Sequence, residues 1–174
     1  MRYVDIMSCN KHPVRGLLCA LLLLPHFAFA LNTDKNQPIQ LEADSVDIDE
    51  ATGVSIYQGN VIVTQGSLKL WADKMWIYRK NGITERIVTK GDPTHFRQLE
   101  DSGEETKGRA KKAEFFVQKD EIHLIDEAVL EQKQDIFRSD RIIYLRSQSL
   151  VKAGASAQGK QRVHVTIESE QSTR

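Results

Sequence analysis

The sequence predicts an all-β fold of many short antiparallel strands, a sandwich, jelly roll or barrel built from two similar halves. Three observations lead there. Apolar residues alternate with a period of two through most of the chain, as half-buried strands do. Nearly every glycine beyond the first thirty residues stands at a strand boundary, in turns such as Gly59-Asn60, Gly66-Ser67, Asn81-Gly82 and Gly91-Asp92. No stretch keeps a helical period over three turns, and many short strands at this spacing pack as sheets.

The halves come from a repeat. A ten-residue pattern, apolar-x-apolar-x-(Ala/Ser)-Asp-x-apolar-x-apolar, recurs four times. The first copy is Ile39-x-Leu41-x-Ala43-Asp44-x-Val46-x-Ile48. The second is Leu68-x-Leu70-x-Ala72-Asp73-x-Met75-x-Ile77, and the fourth is Phe137-x-Ser139-Asp140-x-Ile142-x-Tyr144. The third, Gly108-x-Ala110-Lys111-x-Ala113-x-Phe115, is degraded. Within a copy the apolar parity slips by one residue at the Ala-Asp pair. Such a slip would turn the inner face outward unless the strand bends or bulges there. Each copy therefore reads as a strand rounding a corner. A shift of 67 positions lays Ala43 on Ala110, Val61 on Ala128, Gln65 on Gln132 and Leu70 on Phe137. Two stacked halves make an extended surface better suited to binding than to one buried reaction centre.

The fold is expected to begin after a leader. Arg2, Lys11 and Arg15 precede an apolar run over residues 16–24, and Ala28-Phe29-Ala30 is a small-x-small site. This is the layout of a secretory signal cleaved after Ala30. The apolar run is shorter than the ~20 residues of a spanning helix, and Pro25 and His26 interrupt it. One domain is expected over residues 31–170, with a frayed tail at 171–174. Without the leader, 21 basic residues face 23 acidic ones, so no basic excess points to nucleic acid. Both cysteines, Cys9 and Cys19, lie in the leader, which leaves no thiol for a disulfide, nucleophile or metal site. For an exported chain that fits a periplasmic space.

Catalytic and metal motifs are weak. His95, His123 and His164 are far apart in strand contexts, with no zinc spacing. Asp44, Asp47, Asp49 and Glu50 faintly resemble a calcium loop, but Val46 and Ile48 belong to a strand interior and the closing acid is missing, so a solvated outer strand face is the better account. Gly154 through Lys160 matches a phosphate-loop spacing, yet Gln161 follows and no helix does. No cofactor and no metal are expected. The polar segment at residues 97–107 reads as a mobile loop, and residues 162–168 as a final strand. Arg109 and Lys111 share parity with Ala113 and Phe115, so they could rim an apolar cavity and meet a phosphate. Arg79 is a similar candidate. The bland alternative for each is edge charge that deters aggregation.

Three blocks carry a family resemblance: Gln37-Pro38-Ile39-x-Leu41-Glu42-Ala43-Asp44, then Gly59-Asn60-Val61-Ile62-Val63-Thr64-Gln65-Gly66, then Ala72-Asp73-Lys74. Together they resemble the periplasmic lipopolysaccharide transport family of LptA (OstA-like) proteins, from about Pro38 to Ile167. In the second half Asp126-Glu127-Ala128 departs from Gly-Asn-Val. The resemblance implies an open, twisted β-jelly roll whose apolar groove takes the acyl chains of lipid A. It further implies a non-enzymatic bridge with head-to-tail self-association. An LptC-like partner would sit at the N-terminal edge strand and an LptD-like partner at the C-terminal one.

The residues expected to line the groove are Ile39, Leu41, Val46, Ile48, Ile56, Val61, Val63, Leu68, Leu70, Met75, Ile77, Phe96, Phe115, Val117, Leu124 and Leu130. Burying roughly a dozen methylenes of one acyl chain is worth about 10 kcal/mol, so an aqueous gap is a real barrier that such a lining removes. The same residues could instead fill a closed core, and composition does not separate the two. Two rivals stay open: an LptC-like component with an uncleaved anchor, and a glycan-processing enzyme or adhesin using Trp71, Trp76 and Tyr78 as a sugar platform.

Overall fold

A computed structural model of the chain describes Asp34 and residues 37–100 and 102–168. The expected leader and the tail at 171–174 lie outside these residues. By its contacts the chain divides into Met1–Ala30 and Leu31–Arg174. The second unit holds ten strands: β1 (Gln40–Glu42), β2 (Ser45–Asp49), β3 (Val54–Gln65), β4 (Leu68–Lys80), β5 (Ile83–Leu99), β6 (Glu105–Phe116), β7 (Glu121–Gln132), β8 (Asp135–Leu145), β9 (Leu150–Ala153) and β10 (His164–Thr166). They form one antiparallel sheet in the order β1-β3-β4-β5-β6-β7-β8-β10, with β2 beside β3 and β9 beside β8. Every neighbouring pair of long strands is consecutive in sequence, because each connection is a tight turn or short loop. No helix among the described residues is long and apolar enough to cross a membrane.

The Ala-Asp motif is the corner the sequence calls for. Register shifts fall between Gln58 and Val61, Trp71 and Lys74, Lys90 and Thr94, Arg109 and Lys112, and Ile125 and Ala128. They line up across the sheet and crease it along one line into two facing leaves, as bulges do when a strand must bend. In the motif-bearing strands the inward parity flips at the crease. Leu70 and Ala72 are buried before it, Met75 and Ile77 after it. The partner strands β3 and β7 round the corner differently, with two successive left-handed residues and no flip. These are Gly59 and Asn60 (φ 78° and 45°) in β3, and Asp126 and Glu127 (φ 61° and 53°) in β7. The shift of 67 thus superposes the corners in space. The departure from Gly-Asn-Val in the second half changes residue type but not backbone conformation.

Side chains at the crease interlock across strands. Asn60 Nδ2 donates to Asp44 Oδ2 at 2.9 Å, and a Cβ on Gly59 would strike that carboxylate, so glycine is needed for space as well as for φ. Lys160 N–H donates to Asp140 Oδ2 at 2.6 Å. In the degraded copy the polarity is inverted: Lys111 stands where Asp is elsewhere, and Asp92 and Glu127 of the flanking strands pair with it.

Three expectations change. Ile56 is not inward. β3 keeps its parity across Gly59-Asn60, so Ser55 and Tyr57 share the inner face with Val61 and Val63, while Ile56 pairs with Asp47 and Trp76 on the outer face. Residues 97–107 are not a loop. β5 continues to Leu99 and β6 starts at Glu105, with Gln98 and Thr106 buried, because buried polar partners replace the apolar alternation that marks a strand. The last strand covers only His164–Thr166.

Candidate functional site

The two inner faces make an apolar trough that follows the crease. Cross-strand neighbours share a face, so the register defines its rows. In the first leaf one row runs Leu41, Val63, Leu70, Phe96, Gly108, Leu130, Phe137, Val165. In the second leaf another runs Val46, Tyr57, Met75, Thr89, Ala113, Leu124, Ile142, Ala153. Small residues stand nearest the crease. Ala72, Ala110 and Ala128 are buried there, and the Ala of the ten-residue pattern marks the first two in the sequence.

Between the edges the trough is filled by its own side chains. Met75, Leu124, Leu130, Ile142 and Tyr144 are 0% exposed. Phe96 and Tyr144, from opposite leaves, stack at 6.4 Å between ring centroids. Phe96 occupies the space over Gly108, and a Cβ there would collide with its ring. At the sheet edges the inner rows emerge. Val46 and Ile48 are 49% and 54% exposed at one edge, Val165 is 47% and Ile167 74% at the other.

Of the expected lining, Val61, Val63, Leu68, Leu70, Met75, Ile77, Phe96, Phe115, Leu124 and Leu130 are buried in the interior. Ile39, Leu41 and Val117 are half-buried against them, Val117 in the 3-10 turn Val117–Lys119. Val46 and Ile48 lie on inner rows but at the open edge. Ile56 is on the wrong face. The cations do not gather. Arg79 is exposed at the end of β4, past a register shift, and lines a cleft of about 440 Å³ with Ile48 and Gly53. Arg109 sits on the outer face between His95 and Val129, and Lys111 is held at the crease by Asp92 and Glu127. Their shared parity with Phe115 misled because the inward face flips between Ala110 and Ala113.

A polar clasp, unread in the sequence, ties the leaves together far from the crease. The Glu100 carboxylate accepts hydrogen bonds from Tyr144 (2.9 Å), Gln132 (2.8 Å), Ser149 (3.0 Å) and Thr106. Arg146, with 3% of its side chain exposed, donates from Nε to Gln98 Oε1 at 2.9 Å. Its guanidinium pairs with Asp120 at 3.2 Å and Asp34 at 3.8 Å and covers the Phe115 ring. Burial alone would raise the Glu100 pKa, but its four side-chain donors outweigh that and hold it below the ordinary carboxylate range. Burial, reinforced by Glu100, pushes the Tyr144 phenol up to about 12. Gln98, Glu100 and Gln132 belong to one leaf and Tyr144 and Arg146 to the other. Opening the trough sideways must break this network.

The outer-face aromatics are covered by cations. Trp71 stacks on His95 at 4.8 Å with Lys69 and Arg97 beside it, Trp76 lies under Lys74 and Lys90, and Tyr78 under Arg86. No group of three or more His, Cys, Asp or Glu side chains converges as a metal site among the described residues.

One antiparallel sheet creased into an open jelly roll, with a largely apolar inner face, defines the class: an open β-jelly-roll protein built around a trough. Residues 40–149 match the LptA/(LptD N-terminal domain) LPS transport protein family, and the chain belongs to that family. It is similar to the lipopolysaccharide export system protein LptH of Pseudomonas aeruginosa, 35% identical over 156 residues that cover 88% of this chain and 86% of that protein. It is also similar to the lipopolysaccharide export system protein LptA of Escherichia coli K12, 34% identical over 164 residues, 92% of this chain and 88% of that one. Among solved structures, LptH, described as the LptA homologous periplasmic component of the conserved lipopolysaccharide transport device of Pseudomonas aeruginosa, has the same β-jelly-roll fold. It aligns with a TM-score of 0.70 at 31% identity, over 78% of this chain and 99% of that one.

Proposed function

We propose that this chain is a periplasmic, non-enzymatic carrier segment. It would hold the acyl chains of lipopolysaccharide in its trough and pass them along a bridge of stacked copies, from an inner-membrane transporter to an outer-membrane translocon. One observation carries the proposal: the largely apolar inner rows span the sheet from edge to edge and surface at Val46 and Ile48 on one edge and at Val165 and Ile167 on the other, in a chain of the lipopolysaccharide transport family. Unpaired strand edges template the addition of another strand. Heterologous addition at both edges would align one trough with the next. Within each copy the filled middle requires the leaves to part before a lipid can pass. The family membership and the outward-facing, cation-covered aromatics favour this over a sugar-processing enzyme.

Site-specific photo-crosslinking in cells tests it. A crosslinking residue at Leu70 or Phe115 is expected to trap lipopolysaccharide, and one at the outward Lys74 is not. Adducts at Lys74 with none at inward positions would overturn the proposal. Sequencing the N-terminus of the exported protein separates a released carrier, beginning at Leu31, from an anchored component.

A further inference from the structure

The two edges of the sheet carry opposite charge. Around β1 and β2 the chain has Glu42, Asp44, Asp47, Asp49 and Glu50, with no lysine or arginine from Gln37 to Gly53. Around β9 and β10 it has Lys152, Lys160, Arg162 and His164, with no acid from Arg141 to Ile167. None of these acids or bases has an ion-pair partner among the described residues, whereas Lys111, Lys112 and Glu114 in the sheet interior are all paired. Beside β10, a cleft of about 460 Å³ is lined by Arg109, Arg138, Arg162 and His164, with Lys111 and its partners Asp92 and Glu127 also lining it.

The register gives the unpaired charges matching positions. The outer row that starts at Asp47 passes through Ile56, Trp76, Val88, Glu114, His123 and Ile143 and ends at Lys152. The row that starts at Glu42 ends at Arg138 and His164. The first row crosses eight strands, β2 to β9, each antiparallel to the next, so β9 runs opposite to β2. A second copy in the same orientation would therefore add its β2 antiparallel to β9. Continuing the rows sets its Asp47 against Lys152 and its Glu42 against His164. On the inner face the same register sets its Ile48 beside Val151 and its Leu41 beside Val165. Reversed contacts, acidic edge on acidic edge or basic on basic, bring like charges together.

We infer that the acidic β1–β2 edge and the basic β9–β10 edge form a charge code that fixes the polarity and register with which a second copy of this chain docks. The inference rests on the stacking proposed above and names the residues that direct it. Opposed rows of unpaired charge steer encounter and disfavour the wrong pairing more than they add affinity. The code therefore shows itself as salt dependence and as a choice between partners.

Two charge-reversed chains test it. Lys152→Glu with Arg162→Glu makes both edges acidic, and Asp47→Lys with Asp49→Lys makes both basic. Circular dichroism confirms that each folds, and analytical ultracentrifugation measures assembly. Wild type should shift toward monomer as salt rises from about 0.05 M to about 0.5 M, where exposed pairs are screened. Each reversed chain alone should self-associate at least about tenfold more weakly, and an equimolar mixture should regain wild-type assembly in alternating order, since only the mixed contacts oppose unlike charges. Wild type that stays monomeric, salt-independent assembly, a reversed chain that assembles like wild type, or a mixture that fails to recover would each overturn the charge code. Lipid A crosslinking at Phe115 in the folded variants is a separate readout. Adducts retained without stacking isolate a fault in the edges, and adducts lost in wild type count against the transport proposal.

Discussion

At the scale of single residues, face decides energetic weight. Ile77 and Ile56 are the same amino acid on adjoining strands on the same side of the crease, yet Ile77 is 3% exposed in a row with Ile87 and Phe115, and Ile56 is outward beside Asp47 and Trp76. Truncating a buried isoleucine removes its transfer energy and leaves a cavity, at about 2–5 kcal/mol. Ile77→Ala should therefore cost that much in urea unfolding, and Ile56→Ala about 1 kcal/mol or less, in the range of half-exposed substitutions. Equal losses would mean that the face assignment of β3 is mistaken. The interior of β3 was misread from sequence for a local reason. Val54 and Ile56 look like a core pair continuing to Val61, and no composition rule says whether Gly59-Asn60 flips a strand or carries it round with its parity kept.

At the scale of the element, the corner is the unit of construction, and its chemistry is a polar contact between neighbouring strands. Asp44 with Asn60, Asp140 with the Lys160 amide, and Lys111 with Asp92 and Glu127 are three solutions to one requirement. The last explains why the third motif copy looks degraded: the cation moved into the motif and the acids into its neighbours. Lys111→Asp should then lower the melting temperature by crowding three carboxylates at one bend. Adding Asp92→Asn and Glu127→Gln to Lys111→Asp should restore part of the loss. A neutral Lys111→Asp, measured by thermal melting at low salt, would show the pairing to be incidental. The motif and the shift of 67 were legible because corner geometry constrains residue types locally. The swap was not, since Asp92 and Glu127 lie far from Lys111 along the chain and beside it only in space.

 Asp92 precedes Lys111 by 19 positions and Glu127 follows it by 16. Only the sheet register brings the three side chains to one bend.

At the scale of the whole molecule, the clasp sets how the two leaves respond to pH. The fold stabilises neutral Tyr144, whose pKa rises from 10.0 to about 12. That contribution is complete below about pH 10 and is lost as pH climbs through about 12. Glu100 has the opposite sign. Its pKa is lowered from 4.5, so its contribution is present above that value and lost as pH falls through the folded one. Thermal melts should therefore decline at both extremes. Glu100→Gln should flatten the acid limb and Tyr144→Phe the alkaline limb. An acid limb unchanged by Glu100→Gln would remove Glu100 from the clasp.

The sequence by itself determined the class of the fold, the corner-turning strands, the two halves and most of the apolar lining. Each of these is written in local alternation and in residue types that a bend requires. Tertiary structure alone decided that Ile56 faces out, that Arg109 and Lys111 leave the interior, and that Glu100, Gln98 and Arg146 meet across the trough. It also decided that the apolar rows are packed in the middle and open at the edges. The physical reason is one of distance. Alternation reports which side of a strand is greasy, but creasing the sheet chooses which faces meet. The partners of a buried charge are contributed by strands that only the completed register makes neighbours.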